Sequence, residues 1–522
     1  MTYAYYPPPP QYRRPRRFRP LRWLLALLTL GLVLILAVFG LMAWAWSSAG
    51  VDTVGRVEFE QRLRIPPLAR SHIDAQGRRV FDLTAQEGTT ELRRGTRTDT
   101  WGFNGSYLGP TLRAERGEQV AVRVANDLDE STSVHWHGMH LPARMDGGPH
   151  QQVAPGDTWT PHWQVDQPAS TLWYHPHPHG DTEQHVYRGL AGMFILDDPD
   201  SRVADRLPHE YGVDDIPVIV QDKDLGDDGE MREGGISLGG TGRLGDTLVV
   251  NGTYGPYLDV TTTRIRLRLL NASTARVYDF GFSDDREFAV IGSDGGLLPA
   301  PVRMDRITLS PGERAEVVVA MRPGEQIELR SYPPDVGAGL FGRFAGGSDS
   351  FDVLHLRAAD RLAPSPVLPE TLAPAPDLDA HVDENGLQDV DRRFELSGRS
   401  INGTQMVMSR IDETVELGST EVWEVRNRDG MHHNFHVHDV QFQVLSVDGD
   451  APPPDYGGWK DTIYLRPSTT MRIAMRFSDY ADARTPYMYH CHLLAHEDSG
   501  MMGQFAVVRP GQDAGTVGHR HH

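Results

Sequence analysis

The fold is indicated by a short pattern that occurs three times in the chain. Residues 104–126 read NGSYLGPTLRAERGEQVAVRVAN, residues 251–271 read NGTYGPYLDVTTTRIRLRLLN, and residues 402–427 begin with Asn-Gly and end in VWEVRN. An Asn-Gly pair is typical of a tight turn, and the alternation of apolar and polar residues after it is typical of a half-buried β-strand. The copies lie about 150 residues apart, which is an ordinary domain size and too long for a solenoid repeat. We therefore predict three tandem β-sandwich domains.

A high content of turn-forming residues, 53 Gly and 37 Pro, supports an all-β class. Five prolines between residues 364 and 376 indicate a linker before the third domain. The expected segments are a disordered Pro/Arg-rich tail (1–22), an apolar anchor (23–46), a first domain (53–198), a second domain (199–361), a linker (362–395), a third domain (396–510) and a C-terminal tail (511–522).

Charge and cysteine content exclude several classes of protein. The formal net charge is −20, and six of the basic residues are arginines within the first 22 positions, so the remainder is more acidic still. Such a surface repels phosphate, and we predict no nucleic-acid binding. Cys491 is the single cysteine, which excludes an intrachain disulfide and any cysteine-rich zinc or iron–sulfur site.

The N-terminal region predicts a membrane anchor. Trp23 to Trp46 is a run of 24 residues without a charge, and a helix of that length spans roughly 36 Å, enough for a bilayer core of about 30 Å. The arginines lie only before this run, which places the N-terminus in the cytoplasm and the folded part outside, at the cell surface or on the periplasmic side. A cleaved signal peptide is the alternative, because small residues follow at 47–50. The paired arginines also suggest twin-arginine export.

Histidines carry the chemistry. None of the 23 histidines lies between His209 and His355, so the middle repeat has almost none. Ten of them form four clusters in the first and third repeats: His135 and His137; His175 and His177; His433, His436 and His438; His490, His492 and His496. On a strand, residues two apart face the same side, so each His-x-His pair presents two imidazoles to one point. Eight such imidazoles exceed the needs of one metal ion, and neutral imidazole suits copper, zinc, iron or nickel.

Cys491 narrows the choice to copper. It lies between His490 and His492, so on a strand its thiolate faces the opposite side from theirs. His433, Cys491, His496 and Met501 together supply two imidazoles, a thiolate and a thioether. This is the ligand set of a blue-copper electron-transfer centre. A one-electron site covalently joined to a many-histidine cluster is what four-electron reduction of O2 requires.

Four motifs resemble the copper-binding motifs of the multicopper oxidases. They are HWHG at 135–138, WYHPHPHG at 173–180, HxxHxH at 433–438 and HCHLLAHEDSGMM at 490–502. The sequence is similar to bacterial three-domain cuprous oxidases and laccase-like enzymes of copper tolerance from about residue 55 to 508. The resemblance implies three cupredoxin domains with four copper ions: one type 1, one type 2 and a type 3 pair.

The resemblance also divides the ligands among the coppers. The implied type 1 ligands are His433, Cys491, His496 and Met501. The implied type 2 ligands are His135 and His436. The implied type 3 ligands are His137, His175, His177, His438, His490 and His492.

Two carboxylates match residues that help to deliver protons in the family, Asp146 and Glu497. A proton relay is reasonable on chemical grounds, since reduction of O2 to water consumes four protons at a buried site. The alternative is a turn-forming Asp and a surface Glu. Asp429 lies four residues before His433 and is a candidate to hold that imidazole.

The reducing substrate is less well indicated. Cuprous oxidases of the family carry a methionine-rich insert, whereas residues 333–400 of this chain contain no methionine. Met406, Met408, Met431 and Met502 remain, and they are either copper contacts or ordinary core residues. We expect O2 as acceptor, with Cu(I), Fe(II), other metal ions or small phenols as reductants.

The sequence leaves three candidate functions. The first is a multicopper oxidase, used in copper tolerance or as a laccase with phenolic substrates and no role in copper handling. The second is a copper-free structural relative, as in cell-division factors of this fold that have lost ligands. The third is a two-domain-type nitrite reductase, which would lack the His-Cys-His arrangement. The complete set of ten histidines and Cys491 favours the oxidase.

Overall fold

The structure, a computed structural model, describes residues 1–11, 20–233, 239–378 and 389–517. It divides into two compact units, Met1–Ala49 and Gly50–His522. Five of the N-terminal arginines (positions 13–19), ten residues of the predicted linker and the end of the C-terminal tail lie outside the described residues.

The first unit contains one helix, α1 (Pro20–Ser48). Its Arg22–Ser48 segment has a mean hydropathy of 2.9 and is long and apolar enough to cross a membrane. The hydroxyls of Thr29, Ser47 and Ser48 donate to helix carbonyls three or four residues earlier, so these polar groups are satisfied within the helix. A signal sequence meets the same criteria of length and composition.

The second unit is built almost entirely of strands. The first stretch contains β1 (Gln61–Arg62), β2 (Ser71–Ile73), β3 (Arg79–Thr90), β4 (Thr98–Phe103), β5 (Leu112–Glu115), β6 (Gln119–Asn126), β7 (His135–His137), β8 (Thr158–Trp159), β9 (His162–Gln164), β10 (Ser170–His175) and β11 (Gly192–Asp197). The second stretch contains β12 (Asp215–Lys223), β13 (Thr247–Val250), β14 (Thr253–Tyr254), β15 (Pro256–Thr262), β16 (Arg264–Asn271), β17 (Tyr278–Phe282), β18 (Phe288–Ser293), β19 (Gly296–Met304), β20 (Ile307–Leu309), β21 (Arg314–Ala320), β22 (Gln326–Tyr332) and β23 (Phe351–Ala363). The third stretch contains β24 (Arg392–Ser397), β25 (Ser400–Ile401), β26 (Glu413–Glu416), β27 (Thr420–Asn427), β28 (His433–Val437), β29 (Phe442–Val447), β30 (Thr462–Leu465), β31 (Thr470–Arg476), β32 (Tyr487–His490) and β33 (Met502–Val508). The helices in the connections are α2 (Thr182–Arg188), α3 (Leu494–Asp498) and the short 3-10 helices Ala143–Met145, Ala204–Arg206, Gly339–Ala345 and Pro454–Tyr456.

Each stretch forms two sheets with the same long-range pairing. The sheet orders are β2-β3-β6-β8 with β4 and β9 added, and β5-β11-β10-β7; β14-β13-β12-β16-β21-β18-β19 and β1-β15-β23-β22-β17-β20; β25-β24-β27-β31-β29 and β26-β33-β32-β28-β30. The alternating strand of each repeat (β6, β16 or β27) pairs in parallel with an early strand (β3, β12 or β24). The strand after the Asn-Gly turn (β5, β15 or β26) pairs in parallel with the last strand (β11, β23 or β33). One topology is thus built three times.

The three Asn-Gly turns are equivalent in detail. Asn104, Asn251 and Asn402 have left-handed backbones, with φ of 57°, 48° and 51°. Asn tolerates this region better than most residues. Each side-chain oxygen accepts a backbone hydrogen bond of 2.7–2.9 Å from β3, β12 or β24, and each amide donates back to a carbonyl of the same strand at 2.7–3.0 Å. The turn therefore ties each repeat to its own early strand.

Each pair of sheets encloses its own apolar core. The first core contains Phe81, Trp136 and Phe194, and the third contains Trp423 and Cys491. The largest core belongs to the middle stretch, which lacks the histidine clusters. The predicted all-β fold of three cupredoxin-like sandwiches is confirmed, with an apolar helix before them.

The segment before the first sandwich attaches to the second one. Gln61 of β1 pairs in parallel with Pro256 of β15, and the Val51 N–H donates to Asp349 at 2.8 Å. The predicted first domain (53–198) includes this segment, because a strand of two residues carries no alternation that identifies its sheet. The domain boundaries near residues 198 and 361 stay predictions.

The strands bring the histidine clusters to one place. His135 and His137 lie on β7, whose register with β10 places His135 opposite His175. His436 of β28 lies opposite His490 of β32. The strand β32 ends at His490, so Cys491 and His492 follow it rather than continue it. Cys491 nevertheless faces the third core, in which it is buried. Its side chain therefore lies on the opposite side from the flanking histidines, as predicted.

Candidate metal centres

The predicted ligand residues converge in two groups of buried side chains. Within the described part of the chain, His433, Cys491 and His496 form one group of closely spaced ligand atoms. The other groups are linked by shared members and form one histidine cluster: His135, His137 and His436; His137, His175 and His492; His135, Asp146 and His438; His177, His438 and His490. Every one of these side chains is at most 1% exposed.

The first group is a compact triangle of two imidazoles and a thiolate. Cys491 Sγ lies 3.6 Å from His433 Nδ1 and 3.7 Å from His496 Nδ1, and the two nitrogens are 3.1 Å apart. Burial alone would raise the pKa of the Cys491 thiol, but hydrogen bonds with His433 and His496 lower it to about 5. The thiolate, which is the metal-binding form, is therefore favoured at neutral pH.

Met501 is tied to this triangle through its backbone. Its carbonyl accepts from the Cys491 N–H at 3.1 Å, and its N–H donates to the His496 carbonyl at 3.0 Å. The side chain is fully buried. The fourth predicted ligand is thus held next to the other three.

In both imidazoles, the nitrogen that faces away from Cys491 has a hydrogen-bond partner. His433 Nε2 hydrogen-bonds Asp429 Oδ2 at 2.7 Å, which is the contact that the four-residue spacing suggested. His496 Nε2 donates to the Gly240 carbonyl at 2.8 Å. Burial alone would lower the pKa of His433, but the hydrogen bonds with Asp429 and Cys491 raise it to about 9. Gly240 comes from the middle stretch and carried no recognisable signal in the sequence.

The histidine cluster contains two triads of ring nitrogens. In one, His175 Nε2 lies 3.4 Å from His137 Nδ1 and 3.4 Å from His492 Nε2. In the other, His490 Nε2 lies 3.3 Å from His177 Nε2 and 3.1 Å from His438 Nε2. Buried ring nitrogens that lie this close together are arranged as ligands around a common point.

Among the described residues, four ring nitrogens of the cluster have no hydrogen-bond partner, and two of them, on His135 and His436, belong to residues of one group of closely spaced ligand atoms. His135 Nε2 and His436 Nε2 are buried and accept or donate no hydrogen bond, whereas the opposite nitrogen of each ring bonds a backbone carbonyl, of Asp146 and Asp461 respectively. A buried polar atom without a partner costs about 1–3 kcal/mol. A metal ion at this point would satisfy both.

Burial and mutual repulsion keep six of these imidazoles neutral. Burial, together with the neighbouring imidazoles, lowers the pKa well below the usual range for six residues of the cluster: His137, His175, His177, His436, His438 and His492. A neutral imidazole has a free lone pair, as metal ligation requires. The donor set therefore fits copper.

Both predicted carboxylates lie at the outer nitrogens of this cluster. Asp146 Oδ2 accepts from His438 Nδ1 at 2.7 Å, and Asp146 Oδ1 is 3.3 Å from His135 Nδ1. Glu497 places its two oxygens 3.2 Å from His177 Nδ1 and His490 Nδ1. Burial alone would raise the pKa of Glu497, but these two imidazoles lower it to about 2. The alternative of a surface Glu is wrong, because Glu497 is fully buried.

Comparison with known proteins decides the family. Three sequence models described as multicopper oxidase match residues 84–201, 226–332 and 377–511. The chain is 36% identical over 453 residues to the multicopper oxidase mco of Staphylococcus epidermidis, covering 85% of this chain and 92% of that one. The chain belongs to the multicopper oxidase family. It is accordingly an oxidoreductase that binds copper and couples oxidation of a substrate to reduction of O2.

Other relatives of this multicopper oxidase have different names. It is 37% identical to the cell division protein FtsP of Xenorhabdus nematophila, over 85% of this chain and 92% of that one. A laccase-like multicopper oxidase from Ochrobactrum sp., with oxidase activity towards lignin model compounds, superposes with a TM-score of 0.76 at 35% identity, covering 85% of this chain and all of that one.

The multicopper oxidase site includes an ion pair that sequence reasoning missed. Asp461 Oδ1 lies 3.0 Å from His137 Nε2, and both Asp461 oxygens accept from Arg314, at 2.7 and 2.6 Å. His137 thereby turns Nδ1, rather than Nε2, towards His175. Arg314 is fully buried and belongs to the middle stretch, where no histidine pointed to a site.

A further missed residue joins the two groups of ligands. Asn434 follows His433, and its side-chain oxygen lies 3.5 Å from Cys491 Sγ and 2.5 Å from the His492 backbone N. Its amide donates to the Pro311 carbonyl at 2.8 Å. Asn434 therefore fixes the Cys491-His492 segment, and its position between two ligand histidines was the available signal.

Proposed function

We propose that the protein carries four coppers, with type 1 ligands at the Cys491 triangle and a trinuclear centre in the histidine cluster. The type 1 set is His433, Cys491, His496 and Met501. The type 2 set is His135 and His436, which share one group of closely spaced ligand atoms and each have an unpartnered Nε2. The type 3 set is the two triads, His137, His175 and His492 with His177, His438 and His490. The observation that carries this proposal is that Cys491 is covalently joined on both sides to a histidine of the other group.

The chain would hold the coppers, and it orients the imidazoles and connects the two groups of ligands. Bound copper would supply one-electron oxidation of a reductant at the triangle and, at the histidine cluster, reduction of O2 by four electrons and four protons to two waters. Cys491 belongs to the triangle, and its peptide bonds lead directly to His490 and His492. Asn434 bonds this segment from the side, which keeps the connection rigid. Buried carboxylates orient the imidazoles by contacting their outer nitrogens.

Asp146 and Glu497 are proposed to act in proton supply as well as in orientation. Each carboxylate touches ring nitrogens of two cluster histidines, so each is positioned to pass a proton on to the site where O2 is reduced. The first is on the connection after β7 and the second is on α3, so the two carboxylates reach the cluster from different elements.

Replacing Glu497 by Gln is expected to lower kcat by about 10- to 100-fold, the range found for partners of metal ligands. The KM for the reductant should change little, because the Glu497 side chain contacts His177 and His490 rather than the type 1 imidazoles. Steady-state oxygen uptake over a range of pH measures both. Glu416→Gln, on an exposed position of β26, is the control. An unchanged kcat in Glu497→Gln would remove this residue from the mechanism.

The proposed reductants are Cu(I) and small phenols, with a role in copper tolerance. Met431 and Asp429 flank the type 1 imidazoles: Asp429 bonds His433, and a Cβ atom at Gly240 would lie 2.8 Å from Met431 Cε. The thioether of Met431 is a soft ligand, which suits Cu(I). The lignin-related activity of the Ochrobactrum relative makes a laccase the second candidate.

Replacing Met431 by Leu is expected to lower kcat/KM for Cu(I) by about tenfold, since one soft ligand is lost. Oxidation of a phenol should fall by less than about twofold, because Leu preserves the packing volume. Oxygen uptake with each reductant provides the ratio, and Met321→Leu in the second core is the control. Equal losses for both substrates would make Met431 a packing residue.

We further propose that α1 anchors the enzyme in a membrane with the sandwiches outside the cytoplasm. The expected result of cell fractionation is that the full chain stays with membranes after washing with high salt and alkaline carbonate. A chain that starts at Gly50 should be released. Soluble wild-type protein whose first residue lies near position 50 would instead establish cleavage.

The proposed function is tested by oxygen uptake of the copper-loaded full chain in detergent with Cu(I), Fe(II) and a phenol in turn. We expect turnover with Cu(I) and with the phenol. Uptake with neither would contradict the substrate assignment. Consumption of nitrite in place of O2 would favour the reductase alternative.

A further inference from the structure

Four methionines form a cluster of their own beside the histidines. Met406, Met408, Met488 and Met502 contact one another, and this group contains no other hydrophobic side chain among the described residues. The first, third and fourth are 8%, 1% and 2% exposed, and Met408 is half-buried. We call this group the methionine cluster.

The methionine cluster lies on the sheet face that carries a predicted copper ligand. Met502 is the cross-strand partner of His490, and Met488 precedes His490 by two residues, so all three face the same side. Directly paired side chains in an antiparallel sheet have Cβ atoms about 4.5–5.5 Å apart. The methionine cluster is therefore adjacent to the histidine cluster and is separate from Met431, which flanks the type 1 imidazoles.

The two remaining methionines come from a connection that is held rigidly. Gln504, which is fully buried, donates its side-chain amide to the carbonyls of Val407, Met408 and Arg410. The Met406 N–H donates to the Gly500 carbonyl at 2.9 Å. These bonds fix the connection so that both of its methionines turn inwards.

One end of the methionine cluster lies close to the protein surface. Val407, between its two loop methionines, is 46% exposed, and Met408 retains part of its surface. On the inner side, a Cβ atom at Gly148 would lie 3.7 Å from Met488 Cγ and 3.5 Å from Asp146 Oδ2. The cluster thus extends from the surface to the loop that carries Asp146.

The chemistry of the cluster selects a soft monovalent ion. Thioethers are soft ligands that prefer Cu(I), and the cluster contributes four of them. Packing alone does not account for the composition, because Leu, Ile and Val dominate the three main cores. A Met group that borders a copper site and reaches solvent has the properties of an ion-binding site.

We propose that the methionine cluster binds one Cu(I) ion next to the histidine cluster. This site goes beyond the four-copper proposal and does not depend on which reductant is used. It differs in ligands, place and oxidation state from the type 1 group. Only binding is assigned, so no electron transfer is required of it.

The test uses Ag(I), a redox-inert soft ion, added to the copper-loaded full chain in detergent. X-ray absorption at the silver edge should show three or four sulfur neighbours, a number that Met431 cannot provide alone. The double variant Met406→Leu with Met408→Leu should lose this sulfur coordination. Leu preserves volume, so the fold and copper content are expected to be retained.

Met471→Leu with Met475→Leu is the matched control, since both residues are buried methionines of the third core. It should keep the silver site. The single variant Met408→Leu, at a half-buried position, covers the case in which the double variant fails to fold, and it should lose one sulfur neighbour. Silver with fewer than three sulfur neighbours in the wild type, or an unchanged signal in Met408→Leu, would overturn the proposal. Because the readout is not turnover, this failure is distinguishable from failure of the oxidase proposal.

Discussion

Cys491→Ser is expected to abolish the blue absorption of the copper-loaded protein and to reduce oxidase turnover by more than about 100-fold, beyond the cost of losing an outer partner of a ligand. Cys491 is the only thiolate of the chain and the only residue that belongs to the triangle while being bonded to two histidines of the other group. A serine hydroxyl does not ionise at neutral pH. Visible absorption and oxygen uptake measure the two effects.

The fold should survive this substitution. Cys491 fills a small space in the third core, and Ser differs from it by one atom. Circular dichroism should therefore be unchanged, and Met475→Leu, in the same core, should keep both colour and turnover. Undiminished oxygen consumption by Cys491→Ser would disprove the proposed electron route.

Arg314→Met is expected to destabilise the protein by about 3–5 kcal/mol, the usual cost of removing one partner of a buried ion pair. The Arg314 guanidinium donates two hydrogen bonds to Asp461 and others to the carbonyls of Thr171 and Asp294. Its loss leaves the Asp461 carboxylate buried beside His137 without its cation. We expect lower resistance to urea and a changed electron paramagnetic resonance signal of the type 2 copper.

A matched control separates this effect from the loss of any arginine. Arg306 pairs with Asp285 at the surface, with side chains 26% and 70% exposed. Exposed pairs contribute about 0–1 kcal/mol, so Arg306→Met should change urea resistance little and leave the copper signal unaltered. If the two variants behaved alike, Arg314 would have no special role at the metal centre.

Local patterns made much of the fold and site predictable. The Asn-Gly turns and alternating strands depend on neighbouring residues, and all three repeats form as expected. The His-x-His pairs point to one side because successive side chains of an extended chain alternate, and this holds even where β32 ends before Cys491. The membership of the triangle followed from ligand chemistry.

Long-range contacts could not be predicted in this way. The pairing of Arg314 with Asp461 joins residues far apart in the sequence, and so does the bond from His496 to Gly240. Neither Arg314 nor Gly240 has a recognisable local signal in the sequence, because arginine and glycine are also common at surface positions that have no such role. The pairing of β1 with β15 was missed for the same reason.

These contacts give the middle sandwich a role at the metal centres. It has no histidine cluster, yet Arg314 holds Asp461 against His137, and Gly240 bonds the outer nitrogen of His496. The two groups of ligands are therefore each supported by a stretch of chain that contributes no ligand.

The stoichiometry of the reaction tests the central claim most directly. Oxygen uptake and consumption of a one-electron reductant are measured together in the copper-loaded full chain, with hydrogen peroxide assayed in the same sample. If electrons pass from the triangle through Cys491 to a trinuclear centre, we expect four reducing equivalents to be consumed per O2 and no peroxide to form. Two equivalents per O2 with accumulation of peroxide, or no oxygen uptake at all, would contradict it.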